Sequence, residues 1–267
     1  GALVRVSGLL PKGFELRPYL DEARRQLHEE TDYAREGRYL AEFGARLAHD
    51  PRFALPHFHE DWSTPQVLAM SFIEGHPIES AETAPVEDRT RIARDLIELM
   101  FRELFEFGVM QSDPNFANYR IEAETRRIVL LDFGAARPLD PGLLDQYRDL
   151  LRAGLNGDPD GIARAGAEIG FLDSDGNPDH QARVLRMIET VFGAVTGAEE
   201  FDFADPALSR RMQADGMALA EAGYVPPLLP MDVLYLQRKF GGMFLLCSRL
   251  GACLPLRAML ERNLATS

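Results

Sequence analysis

Apolar residues recur along this chain with two different spacings. From about Pro18 to Ala48, the positions Leu16, Leu20, Ala23, Leu27, Glu30 and Ala34 follow one another at steps of four and three. That rhythm predicts one long helix with a single buried face. Pro18 falls in its first turn, where a missing N–H costs nothing. Glu30 sits on the apolar stripe itself, so its carboxylate needs either a partner or a path to water. Residues 66–73 (QVLAMSFI) predict a strand bounded by Pro65 and ending in a flexible joint at Glu74-Gly75. A second helix over 86–107 puts Ala93, Leu96, Ile97, Met100 and Leu104 on one face, and Gly108 stops it. A polar loop over 110–118 then leads into a hairpin: a short strand near 119–121, a turn through Glu122–Arg126 and a strand Ile128–Leu131. After Asp140 the pattern is helical, broken by loops at 156–160, 173–179, 197–206 and 225–230. There is no internal repeat.

Composition narrows the class. With 267 residues and 46% hydrophobic content, the chain can bury a sizeable core, as one domain or two packed lobes. The net charge of −13 and the lack of a basic stripe argue against a nucleic-acid-binding surface. Lysine occurs only at Lys12 and Lys239, which reads as the codon bias of a GC-rich genome. Cys247 and Cys253, six apart with no histidine nearby, fit neither a zinc motif nor a disulfide framework, and suggest a reducing compartment. No apolar run approaches the roughly 18 residues that span a bilayer.

The hairpin carries the chemistry. Asp113 and Asn118 are five apart on the loop entering its first strand, and Asp132 follows its second strand in Asp132-Phe133-Gly134. Antiparallel pairing brings the two ends of a hairpin together, so Asn118 and Asp132 are expected side by side. An amide oxygen and a carboxylate are hard ligands suited to Mg²⁺ on the phosphates of a nucleotide. Asp113 is placed to orient or deprotonate an attacking hydroxyl. Asp, four intervening residues, Asn, then a strand–turn–strand and Asp-Phe-Gly is the kinase pattern. The bland alternative is a hairpin whose polar caps merely satisfy backbone groups.

The segments MQSDPNFANY (110–119) and VLLDFGAAR (129–137) resemble the UbiB/AarF/ADCK (ABC1-type) family of atypical kinases, and most of all its coenzyme-Q-biosynthesis branch. That branch has Gln-(Thr/Ser)-Asp-Pro-Asn where ordinary kinases have His-Arg-Asp. Glu30-Thr31-Asp32 matches the family's Glu-x-Asp motif; RELFEFG (102–108), FDF (201–203) and RKFGGMFLLCSRLGA (238–252) extend the likeness over about 9–262. The resemblance implies an α+β, protein-kinase-like fold, with a partial N-lobe over 1–73 and a mostly helical C-lobe over 74–267 carrying the catalytic hairpin. It implies that Glu30 pairs with the nucleotide-binding lysine. Asp32, two residues on and pointing elsewhere, would meet an N-terminal extension. The adenine would lie against Met70, Phe72 and Ile73.

The family's alanine-rich loop, its Lys-x-Gly-Gln motif and its strand lysine are expected before Gly1, and Lys12, in the turn-like GLLPKGF, is not that lysine. The activity implied is an ATP-dependent kinase or ATPase using ATP and Mg²⁺ in ubiquinone biosynthesis. Its partners would be a nucleotide and a lipid or quinone precursor or quinone-biosynthesis enzymes, in the cytoplasm or peripheral at a bacterial inner membrane. Two other readings stand beside it: a pseudokinase scaffold for lipid or partner enzymes, and a small-molecule phosphotransferase of the aminoglycoside or choline kind. Elsewhere, His57 and His59 share a strand face as a structural or metal pair, and DSDGNPD (173–179) lacks the glycine position and distal glutamate of a calcium loop. The stripe Leu236, Phe240, Met243, Phe244 and Cys247 reads as core, or as a lipid or partner-helix contact.

Overall fold

The computed structural model describes Arg17, Asp21, Arg24, Arg25 and residues 31–173 and 176–265. They form two compact units, one within Ala23–Leu139 and Tyr235–Ala252, the other within Asp140–Leu234 and Cys253–Ser267. Helices alternate with short strands, the α+β class expected.

The long N-terminal helix expected from the sequence is interrupted. Arg17, Asp21, Arg24 and Arg25 are helical, but the chain turns at Thr31 and Asp32, and a separate helix α1 (Tyr33–Arg46) begins there. Asp32 is its N-cap: the carboxylate accepts a hydrogen bond from the Arg35 N–H at 3.0 Å. A capping carboxylate satisfies one of the orphan donors of a helix start and favours a new first turn over continuation. α1 buries Gly37, Leu40 and Phe43.

The sheet that holds the hairpin has the order β1-β5-β4-β2, from β1 (Phe53–Ala54), β2 (His76–Pro77), β4 (Tyr119–Ile121) and β5 (Ile128–Leu130). β4 and β5 are antiparallel, with Tyr119 opposite Leu130 and Ile121 opposite Ile128. Helix α2 (Val86–Arg102) buries Ala93, Leu96, Ile97 and Met100, as its spacing predicts. It relaxes into a π-helical turn over Glu103–Phe107 and stops at Gly108, whose φ of 64° is the left-handed conformation that only glycine adopts cheaply. A two-stranded ribbon, β3 (Val109–Gln111) against β6 (Ala136–Pro138), not expected from the sequence pattern, ties the loop over 112–118 to the segment after Asp-Phe-Gly.

The strand expected over 66–73 does not form. That segment makes only isolated pairings, Phe58 with Met70 and Thr64 with Val67. Val67, Met70 and Phe72 remain exposed, Phe72 at 91%. The apolar run is real, but no ladder or packed face among the described residues absorbs it.

The second unit is helical as expected: α3 (Pro141–Asn156), α4 (Pro159–Ile169), α5 (Pro178–Thr196), α6 (Ala207–Glu221) and α8 (Leu256–Ala265). Three of these helices start alike. Asp140, Asp158 and Asn177 each cap a helix whose next residue is proline, accepting from the N–H of Leu143, Gly161 and Asp179. α3 meets α5 where Gly154 faces the Phe192 ring, at a distance that leaves no room for a Cβ. β7 (Phe201–Asp202), in a segment expected as loop, pairs with β8 (Cys253–Leu254), in a segment expected as helix. Helix α7 (Met231–Arg249), which from Tyr235 on belongs to the first unit, buries Leu236, Met243 and Cys247 of its stripe and also Lys239, while Phe240 and Phe244 are half-buried. Among the described residues no helix is long and apolar enough to cross a membrane.

Candidate active site

The candidate catalytic loop over 111–118 is held from its own backbone outward. Ser112 lies fully buried, its N–H and hydroxyl both donating to the Ala135 carbonyl at 3.2 and 2.8 Å. Gln111, also buried, donates through Nε2 to the Asp132 carbonyl at 3.0 Å, while its Oε1 accepts from the Asp113 N–H at 2.5 Å. One amide side chain therefore links the residue before Phe133 to the catalytic-loop aspartate. This is a physical use for glutamine at the position where ordinary kinases carry histidine.

Around the three expected residues the geometry converges. Asn118, buried at the entrance to β4, donates through Nδ2 to Asp113 Oδ2 at 3.2 Å and to the Asp113 carbonyl at 3.4 Å. That leaves its carbonyl oxygen as the available acceptor. The Leu131 N–H donates to the Asn118 carbonyl at 3.1 Å, which closes the hairpin ends beside each other. Asn118 and Asp132 line the same small gap together with Glu103 and Tyr119. Asp132 Oδ1 accepts from the Gly134 N–H at 2.9 Å.

A residue that periodicity missed completes the cluster. Glu36, on α1, accepts from the Phe133 N–H and lies beside Asp132. Burial, then the charge of Asp132, push its carboxyl above the usual range, against the lowering effect of that hydrogen bond. Gly134 sits between the two: a Cβ there would lie 3.4 Å from Asp132 Oδ1 and 3.5 Å from Glu36 Oε2. Arg35, the neighbour on α1, donates to the Gly134 carbonyl at 2.6 Å and to the Ala136 carbonyl, and Phe43 packs on Phe133 with ring centroids 4.8 Å apart. Helix α1 thus grips the Asp-Phe-Gly segment at three points. The signal available in sequence was Glu36 four residues beyond the Asp32 cap, but its partners lie about a hundred residues away.

Two further contacts come from α7. Arg238 Nη2 donates to Asp113 Oδ1 at 2.5 Å, and Lys239, only 2% exposed, meets the equally buried Glu103 at 2.8 Å and hydrogen-bonds Tyr119. Gly242 packs on the catalytic loop, where an added Cβ would fall 2.2 Å from Pro114 Cβ. Because that contact is a proline ring on a bonded loop, Gly242→Ala is expected to cost about 1–3 kcal/mol by overpacking, read as a lower denaturation midpoint at unchanged m-value.

The other expected site residues are scattered. Glu30 lies outside the described residues, as do Lys12 and part of the 173–179 loop. Asp32 caps α1. Met70 and Phe72 are exposed, and Ile73 lines a groove with Leu40, Gly44 and Phe53 rather than the gap at Asn118 and Asp132. His57 and His59 lie edge to face at 4.9 Å, with His59 stacked on Trp62. Among the described residues no three His, Cys, Asp or Glu side chains are gathered to hold a metal ion.

Known proteins resemble this chain over most of its length. Residues 2–166 match the model of the ABC1 atypical kinase-like domain. The chain is similar to the atypical kinase COQ8, mitochondrial, of Saccharomyces cerevisiae: 36% identity over 254 residues, 94% of this chain and 50% of that protein. It is similar to the mitochondrial atypical kinase COQ8B of Rattus norvegicus at 32% identity over 263 residues, 97% of this chain and 49% of the relative. The chain thus spans about half the length of these curated relatives. In fold it resembles Rv3197 of Mycobacterium tuberculosis, solved in complex with erythromycin, with a TM-score of 0.71 at 22% identity, over 97% of this chain and 64% of that one. With a family model matching well over half of its residues, the chain belongs to the ABC1 atypical kinase-like family.

Proposed function

We propose that the protein containing this chain is an ATP-dependent atypical kinase or ATPase supporting isoprenoid-quinone biosynthesis. The observation that carries this reading is the convergence of Asp113, Asn118 and Asp132 at one hairpin end. Its similarity to the COQ8 kinases supports the biosynthetic context.

The donor set suits Mg²⁺. A free amide oxygen on Asn118 and the uncommitted oxygen of Asp132 are hard ligands, too few for an all-protein cage but typical for an ion that keeps phosphate and water ligands. The Asp132 and Glu36 carboxylates, close together and mutually repelling, are a place where positive charge is wanted. When bound, the ion supplies charge neutralisation for the nucleotide phosphates. Glu36, rather than Glu30, is the carboxylate we assign to organise the nucleotide-binding lysine, and the adenine is assigned to the segment around Met70, Phe72 and Ile73. Residues 1–73 are read as part of an N-lobe and 74–267 as the C-lobe. Asp113, held by Asn118, takes the acceptor's proton as its oxygen bonds the γ-phosphorus, the bond to the bridging oxygen breaks, and ADP leaves.

The test uses the full-length protein. Mg²⁺ and ATP together are expected to raise its thermal stability and to be turned over. Asp113→Asn is expected to retain that stabilisation while turnover falls on the order of 10²–10⁴-fold, since it removes the base but not the phosphate ligands. Tight nucleotide binding without any wild-type turnover would instead favour the scaffold reading.

A further inference from the structure

One stripe of α7 follows the catalytic loop residue by residue. Arg238 bonds Asp113, Gly242 packs on Pro114, and the Arg249 guanidinium lies 5.0 Å from the centre of the Phe116 ring. Positions 238, 242 and 249 are separated by four and seven residues, which places them within about 40° on a helix turning 100° per residue. The stripe's register is pinned from inside the protein. Lys239, next to Arg238, is sealed in the core with Glu103 and Tyr119, and Tyr119 directly follows Asn118.

The Asp113 carboxylate is consequently held from two sides. Oδ2 takes a hydrogen bond from Asn118 within its own loop, and Oδ1 takes one from Arg238, 125 residues away in sequence. The two bonds fix the carboxylate plane while each oxygen keeps a second lone pair for an incoming hydroxyl. From this geometry we infer that Arg238 is a positioning residue for phosphoryl transfer, holding Asp113 in the orientation that receives the acceptor's proton. The inference rests on the kinase reading of the site. Its side chain is half-exposed, at 47%, so as a merely structural surface pair it would add little to stability. As a positioning residue it acts on the reaction instead.

Steady-state ATP turnover of the full-length protein separates these roles, with thermal stability measured alongside. Arg238→Gln is expected to leave the melting temperature and the KM for ATP nearly unchanged and to lower kcat by about 10²-fold, the scale of loss when a reacting group is misplaced by an ångström. Arg238→Lys, which keeps the charge but not the planar fork, should fall between the two. If wild type turns over and Arg238→Gln keeps kcat within a few fold, the inference fails while the reading of the site stands. A loss of kcat matched by a collapse in stability overturns it as well, by showing a structural role. If the wild type neither binds nor turns over nucleotide, the site reading falls and takes the inference with it.

Discussion

Asp132→Asn in the full-length protein is expected to abolish the thermal stabilisation conferred by Mg²⁺ and ATP while leaving the unliganded fold intact. Asparagine keeps the shape of the side chain and an oxygen to accept from the Gly134 N–H, so the turn after Phe133 survives. What goes is the charge on which the proposed Mg²⁺ site depends. At ligand roughly 100 times Kd, the linkage lost is about 2.7 kcal/mol, a shift of several degrees. The unliganded variant carries an opposite signature. Glu36 sits above its ordinary range through burial first and the charge of Asp132 second. A carboxyl whose folded pKa exceeds its unfolded value binds its proton more tightly when folded, so stability falls as pH rises through that window. With Asp132 neutral, the fall from about pH 4.5 upward should be shallower, and the unliganded variant as stable as wild type or more so. Undiminished Mg²⁺- and ATP-dependent stabilisation in Asp132→Asn would show that the metal assignment is wrong.

Lys239→Met should be the most damaging single substitution outside the reacting groups. The pair it breaks is shut away from water, with Lys239 and Glu103 each 2% exposed. Removing one partner leaves an uncompensated buried charge, a loss of about 3–5 kcal/mol. Burial pulls the Lys239 ammonium down, but Glu103 and Tyr119 together outweigh it and hold its pKa above the ordinary value. Burial likewise raises Glu103, against the attraction of Lys239. Methionine in place of Lys239 therefore leaves Glu103 with nothing to oppose its desolvation. The double variant Lys239→Met/Glu103→Leu is expected to recover most of the stability, because a packed apolar pair is often as good as a buried ionic one. Lysine with a raised folded pKa stabilises below its unfolded value and loses that contribution as pH climbs through the folded one. Wild type should accordingly weaken above about pH 10.5, and the double variant should not share that component. Chemical denaturation of wild type and the two variants across pH decides this. Equal losses in single and double variants would show that charge burial is not the cause.

Much of the framework was legible because it is local. Helix α2 with its glycine stop, the hairpin from Tyr119 to Leu130 and the succession of helices beyond Asp140 follow from spacing and turn residues alone. The Asp140-Pro141, Asp158-Pro159 and Asn177-Pro178 pairs are start signals of the same local kind. The helix that was expected to run unbroken from Pro18 to Ala48 shows where this fails. Its apolar rhythm continues through Thr31 and Asp32, but a capping hydrogen bond at Asp32 outweighs it. The run at 66–73 fails differently: β-propensity needs a continuous partner and a face to bury, whereas Val67 and Met70 make only isolated pairings and both they and Phe72 stay exposed.

The chemistry divides along the same line. Asp113, Asn118 and Asp132 could be named from the chain because a single hairpin sets their separation, and residue types at fixed spacing are a local property. Glu36 beside Asp132, Arg238 on Asp113 and the sealed Lys239–Glu103–Tyr119 cluster could not. Each joins residues that lie from 16 to more than a hundred positions apart, on helices whose faces and registers are chosen only when they pack. The chain therefore dictates which groups meet at one hairpin end, while packing selects the groups that hold them in place.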